Sequence, residues 1–288
     1  MRRILSLLVF LQISIFYAEA QKTGFEEFNG PYAGWANVKQ RFGVKANGSA
    51  DDTKGLEKAL DELTVTLMNF NKDKDPYVTV YLPAGTYCIS KTLSLRGKMG
   101  VNIIGEDPEK TIIKWVGGDD DTMFWANGSA YFKVSRIKWD AAGKKNIKGV
   151  AIQWKEKWND GKTRSFASLN IEVSDCSFVG ALQNGIIGGT YGGQGEDGTG
   201  SNDSEITIRR CSFFNCAIGI VIRGFNALDY WVWDCRFVNC EIGLRNKHGN
   251  YHLFRSHFYN SKLSDIVNIE AIMFQLEVAI RKMPISFW

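Results

Sequence analysis

Two short blocks decide the fold: "CSFFNC" at residues 211–216 and "CRFVNC" at 235–240. Each holds two cysteines five apart around Phe and Asn, and wider flanks extend the likeness. "VSDCSFVG" (173–180), "IRRCSFFN" (208–215), "VWDCRFVN" (232–239) and "LFRSHFYN" (253–260) share one template, and "VSRIKWDA" (134–141) fits it with Ile137 and Trp139 in the Cys and Phe positions. Ile137, Cys176, Cys211, Cys235 and Ser256 form one register, and Trp139, Phe178, Phe213, Phe237 and Phe258 the next inward one. A short apolar strand follows the blocks: "KGVAI", "NGIIG", "IGIVI", "IGLRN". The register residues lie 39, 35, 24 and 21 apart, so the length differences belong to loops.

A repeat of this length, built of alternating strands and turn residues, indicates a solenoid. Stretches such as "EITIRRCSFF" alternate apolar and polar residues as half-buried strands do, without helical periodicity or a leucine ladder. The expected fold is all-β: a single-stranded right-handed parallel β-helix, with like residues stacked roughly 4.8 Å apart. Cysteines on successive rungs are then two buried columns rather than a zinc site, whose ligand pairs converge at shorter spacing. They are read as free thiols acting as small hydrophobes. Asn215, Asn239 and Asn260 read as a turn ladder. Asp175 and Asp234, alternating with Arg136, Arg210 and Arg255, read as a structural charge ladder rather than a catalytic pair.

Composition agrees. Glycine is frequent (29) and proline scarce (5), as tight turns between short strands require, and aromatics are plentiful (9 Trp, 10 Tyr, 18 Phe). Net charge is only +4, which gives no strong pull toward nucleic acid. The N-terminus has Arg2 and Arg3, an apolar run from Ile4 to Phe16, and the small-residue site Ala18-Glu19-Ala20. That pattern predicts a cleaved signal peptide over 1–20 and a secreted or periplasmic protein beginning at Gln21. The run is too short to span a membrane.

The stretch "FGVKANGSADDTKGLEKALDEL" (42–63), then "VTVYLPAGTYCISKTLSL" (78–95) and "VNIIGEDPEKTIIKW" (101–115), resembles the opening segment of the pectate-lyase-3, rhamnogalacturonase/epimerase-like branch of the pectin-lyase-like superfamily. The resemblance covers roughly 36–115, is specific for the fold, and opens hydrolases, lyases, epimerases and phage tailspikes alike. Asp51-Asp52-Thr53 is a helix-start signal, followed by an apolar face at Leu56, Ala59, Leu60 and Leu63. The expected organisation is an N-terminal cap segment over 21–75 with this helix covering the first rung, a β-helix over 76–268, and a terminal segment over 269–288. The helical spacing in "IVNIEAIMFQLEVAIRKM" (266–283) predicts a C-terminal capping helix or, alternatively, a truncated end.

Members of this superfamily bind substrate along the sheet that follows each loop. Stacking those strands turns Val150, Ile186, Ile220 and Leu244 inward, with Ala151, Ile187, Val221 and Arg245 outward. Gln153, Gly189, Arg223 and Lys247 share the next outward column. Basic groups thus gather on the upper rungs. Arginine grips carboxylates in bidentate fashion, and an exposed indole stacks on a sugar, so an anionic, uronate-containing polysaccharide is the expected partner. The resemblance implies elimination, in which a basic group removes the C5 proton, or hydrolysis by two carboxylates. Arg223, Arg245 and Lys247 are the candidate clamp and base, with His248 as alternate base; Trp154, Trp158 and Tyr191 are the candidate sugar contacts. His248, His252 and His257 are expected to crowd one rung. The glycine-rich loop "GGTYGGQGEDGTGSNDSE" (188–205) offers Glu196, Asp197 and Asp203 as oxygen ligands for calcium, although no cofactor is required for the fold. A non-catalytic carbohydrate-binding β-helix remains the alternative.

Overall fold

The computed structural model describes residues 27–63, 77–152, 156–157, 163–164, 168–189, 203–224, 227–269, 273–277 and 280–282. Each coil of the chain contributes a strand in turn to three parallel sheets. Sheet I runs from Ala36–Asn37 to Met273–Glu277 and sheet II from Asn47–Asp51 to Ile280–Lys282, each with nine strands. Sheet III has seven strands, from Leu93–Arg96 to Ser264–Ile269. The molecule is a right-handed parallel β-helix.

The template columns are the rungs of sheet II. Trp139 pairs in register with Phe178, which pairs with Phe213, then Phe237, then Phe258. The four phenylalanines are fully buried and stack nearly parallel, with centroids 4.9, 4.9 and 4.6 Å apart. Strand spacing sets this distance, so identical rings on adjacent rungs form a continuous stack. A second column makes room for them. The glycine of each following sheet III strand abuts a ring: a Cβ on Gly149, Gly185, Gly219 or Gly243 would fall 2.9, 2.5, 2.6 or 2.3 Å from Phe178, Phe213, Phe237 or Phe258. The Phe and Gly columns are therefore one packing device.

The corners are built by single residues in the left-handed region. Between sheets I and II these are Arg136, Asp175, Arg210, Asp234 and Arg255 (φ 63, 53, 51, 53 and 43°). The charge ladder compensates them: Arg210 donates Nε and Nη2 to the two oxygens of Asp175 at 2.6 and 2.8 Å, and Arg255 does the same to Asp234 at 2.8 and 2.9 Å. Between sheets II and III, Asn215, Asn239 and Asn260 take φ 54, 54 and 55°, a conformation asparagine tolerates. Asn260 donates its amide to Asn239 Oδ1 at 3.2 Å. All six cysteines are buried free thiols, and burial pushes Cys176 and Cys211 well above the ordinary range.

Two expectations about the ends need correction. Helix α1 (Val38–Phe42) and helix α2 (Thr53–Asp61) precede the main coils; Leu56, Ala59 and Leu60 of α2 are buried in the common core, and α2 packs on the sheet III edge strand Leu93–Arg96. The acidic pair divides its work. Asp51 accepts from the Thr53 amide at 3.0 Å, while Asp52 accepts from the Lys45 and Ala46 amides at 2.7 and 2.9 Å, so the preceding segment and not the helix is held by Asp52. At the other end the predicted capping helix is absent from the described residues. Ser264–Ile269, Met273–Glu277 and Ile280–Lys282 add one more strand to each sheet, pairing with Ile242–Lys247, Asn250–Phe254 and His257–Tyr259. The open backbone edge of the preceding coil supplies a full set of hydrogen-bond partners, and this overrides helical periodicity.

Candidate functional site: the basic end of sheet III

The stacking of sheet III is as expected. Val150, Ile186, Ile220 and Leu244 are register partners and wholly buried. The outward column is not open along its length, however. Ala151, Ile187 and Val221 are buried together with Ile218 in a separate apolar cluster on the outer face, with Trp125 and Ile242 packed against it. The face is polar at its lowest strand, where Ser94 and exposed Arg96 hold these columns, and again above the apolar cluster. Val221 pairs with Arg245 and Arg223 pairs with Lys247, which places three cations on two adjacent strands. Arg245 and Lys247 are exposed on the same face of one strand, and neither enters an ion pair among the described residues. Arg223 is half-buried, with Nε and Nη2 shielded from solvent.

The backbone around this patch is tightly fixed. The Gly224 amide donates to Lys247 O at 3.1 Å, and the His248 amide to Ile269 O at 3.2 Å. His248 is half-buried at φ 67°, just past the strand end. Asn246, wholly buried, clasps the turn: its Nδ2 donates to Gly249 O at 2.9 Å and its Oδ1 accepts from the Gly249 amide at 3.2 Å. Asn246 therefore positions Lys247 and His248. Its location between two outward cations was the only sequence signal of that role. One rung below, Gly189 sits at φ +87°, and a Cβ there would lie 1.3 Å from Arg223 O, so this approach admits glycine alone.

Lys148–Ile152, Asn184–Gly188, Ile218–Arg223 and Ile242–Lys247 contain no carboxylate. A two-carboxylate arrangement cannot be assembled from these strands, whereas a cationic clamp beside an imidazole can. The three histidines are dispersed rather than crowded: His248 follows the sheet III strand, His252 lies on sheet I and His257 on sheet II. Consecutive strands of a coil face different sides, and proximity in sequence does not survive the two corners between them.

Asp203 is placed in the core, which corrects its assignment as a calcium ligand. It is fully buried, and burial pushes its carboxyl up to about 8 against the weaker pull of the Gly189 and Ser168 amides turned toward it. Glu205 adopts φ 59°, as do its register neighbours Tyr131, Asn170 and Asp229 (51, 53 and 53°), so strict alternation fails there and Asp203 and Ile206 both face inward. No group of three or more His, Cys, Asp or Glu side chains that could hold a metal ion occurs among the described residues. Glu196, Asp197, Trp154, Trp158 and Tyr191 lie outside the described residues. Sequence reasoning also passed over Trp231 and Trp233, outward on sheet I, although the alternation in "LDYWVW" (228–233) carried the signal.

Comparison with known proteins accords with this architecture. A probable glucan endo-1,3-beta-glucosidase of Arthroderma benhamiae is 24% identical over 245 residues, covering 76% of this chain and 27% of that protein. Mannuronan C5-epimerase AlgE3 of Azotobacter vinelandii is 28% identical over 162 residues, covering 51% of this chain and 8% of the epimerase. The chain thus spans a small part of the length of either relative. Among solved structures, Pantoea stewartii WceF, a glycan biofilm modifying enzyme with a bacteriophage tailspike-like parallel β-helix fold, superposes with a TM-score of 0.50 at 11% identity, covering 83% of this chain and 37% of that one. The model of the rhamnogalacturonase A/epimerase, pectate lyase-like family matches residues 35–245, well over half of the chain. With its coils, ladders and corners in agreement, the chain belongs to that family.

Proposed function

We propose that the protein is an exported carbohydrate-active enzyme that removes the C5 proton from a uronate unit of an anionic polysaccharide. One observation carries the reading: Arg223, Arg245 and Lys247 converge on adjacent sheet III strands beside His248, in strands without a carboxylate. Arg245 and Lys247 are suited to hold the uronate carboxylate, Arg245 by its planar fork and Lys247 as a point charge. Neutralising that carboxylate stabilises the carbanion-like charge that develops at C5 as the proton leaves. His248 is the base that accepts it. In elimination, the C5–H electron pair forms the C4=C5 double bond, the C4–O bond breaks, and the departing oxygen takes a proton. In epimerisation, a proton returns to C5 from the opposite face and no bond of the chain breaks. The mannuronan C5-epimerase likeness supports C5 chemistry, and the glucosidase likeness supports a polysaccharide substrate more generally.

The test is a panel of uronate-containing glycans, with and without calcium, followed by ultraviolet absorbance of unsaturated ends, by reducing ends, and by proton NMR of C5 stereochemistry. Unsaturated product or C5 inversion, abolished in R223A/R245A/K247A, is the expected result. Reducing ends without unsaturation would establish hydrolysis and overturn the proposal. Binding without any product would establish a carbohydrate-binding β-helix, and unchanged turnover in the triple variant would remove the site.

A further inference from the structure

Sheet I carries a second constellation on a different side of the solenoid. Its outward positions form two columns: Lys133, Glu172, Thr207, Trp231, His252 in one, and Ser135, Ser174, Arg209, Trp233, Phe254 in the other. On the upper rungs these columns are aromatic. Trp231 stacks on His252 and Trp233 on Phe254, both at 4.1 Å, and the two indoles lie side by side at 6.2 Å and 15°. One rung below, the ladder stops at Thr207. The loss of ring height leaves a cavity of about 340 Å³ lined by Thr207, Trp233, Glu172, Arg209 and the Asp234–Arg255 pair, a volume at the small end of the range for ligand sites.

The charged walls of this notch are tied together by ion pairs. Arg209 donates to Glu172 at 2.9 Å, Lys133 approaches the same carboxylate at 3.2 Å, and Arg210 and Arg255 are forked onto Asp175 and Asp234. The Arg255 guanidinium also lies 5.4 Å from the Trp233 ring centroid. Each of these cations already contacts a protein carboxylate, Lys133 and Arg209 sharing Glu172, so an incoming uronate would compete with an existing pair. A neutral sugar meets no such cost. Its C–H face stacks on the indole, and its vicinal hydroxyls meet guanidinium groups that donate and carboxylates that accept. We propose that this notch on sheet I is a second saccharide-binding site, separate from the basic patch on sheet III, which takes a neutral, hydroxyl-rich pyranose of a polysaccharide chain.

The full chain should be titrated calorimetrically with neutral gluco-, manno-, galacto- and xylo-oligosaccharides and with an oligogalacturonate. At least one neutral oligosaccharide should bind, insensitive to added salt, whereas oligogalacturonate binding should weaken with salt. W233A should weaken neutral binding about tenfold or more. T207W, which fills the notch while leaving the Trp233–Phe254 stack in place, should do the same, with an unchanged circular dichroism spectrum. R245A/K247A should leave neutral binding intact. The site is refuted if no neutral oligosaccharide binds up to about 10 mM, if T207W binds as well as the parent, or if R245A/K247A removes the neutral signal. Because oligogalacturonate is read separately, failure of the sheet III proposal leaves this one standing, and the reverse.

Discussion

Asp203→Asn should stabilise the protein, increasingly so as pH rises. The carboxyl is wholly buried, faces the buried Tyr230 hydroxyl and Ser168, and is pushed from the ordinary 3.8 up to about 8 by loss of solvation. Between those two values the folded protein keeps a proton that the unfolded chain has released. Stability therefore falls with rising pH throughout that window, and the loss is complete only above about 8. At about 1.4 kcal/mol per pH unit, the step from pH 5 to pH 7 costs the parent about 3 kcal/mol at this residue. Asparagine keeps the shape, places a carbonyl where the Gly189 and Ser168 amides point, and has no proton to lose. Urea denaturation followed by tryptophan fluorescence at pH 5 and pH 7 gives the difference between D203N and the parent at each pH, in which the other titrating groups cancel. That difference should grow by about 3 kcal/mol in favour of D203N. If the two proteins keep the same separation at both pH values, Asp203 does not fold as a neutral acid and the reasoning fails.

Other perturbations test the packing and the corners. Gly219→Ala places a methyl 2.6 Å from Phe237 Cδ1 and from Gly243 O and should cost about 2–3 kcal/mol in urea denaturation, as overpacking does. Gly34→Ala, which meets nothing within 4 Å, should stay within about 0.5 kcal/mol of the parent; equal effects would refute the coupling of the Phe and Gly columns. Asp175→Asn removes the buried partner of Arg210, whereas Asp234→Asn removes a partner from Arg255, whose side chain is 61% exposed. Thermal melts should show a loss of about 3 kcal/mol for the first and at most about 1 kcal/mol for the second, and the reverse order would refute the burial argument.

The repeat was legible because a β-helix imposes the same environment on each rung. Once "CSFFNC" and "CRFVNC" were aligned, the Phe stack, the cysteine columns, the asparagine corners and the inward Val150–Leu244 column all followed from register. The basic patch was legible for the same reason, since Arg223 and Lys247 occupy one outward column. The C-terminal strands were not. The helical spacing of Ile269, Ile272, Met273 and Leu276 is a local signal, and the edge presented by Asn250–Phe254 is a distant one.

Sequence alone therefore determined what repeats: the coil, its corner residues, and the face on which each regular position lies. Tertiary structure decided what the template blocks do not show. A left-handed position that recurs on sheet I, at Tyr131, Asn170, Glu205 and Asp229, turns Asp203 into the core. A buried Asn246 fixed the turn bearing His248, and the apolar cluster of Ala151, Ile187 and Val221 separated the basic patch from Arg96 at the other end of the sheet. The meeting of Thr207 and Trp233 from adjacent strands formed the notch on sheet I. Alternation and stacking are nearest-neighbour rules, whereas clasps, clusters and notches depend on which residues of different strands meet in space.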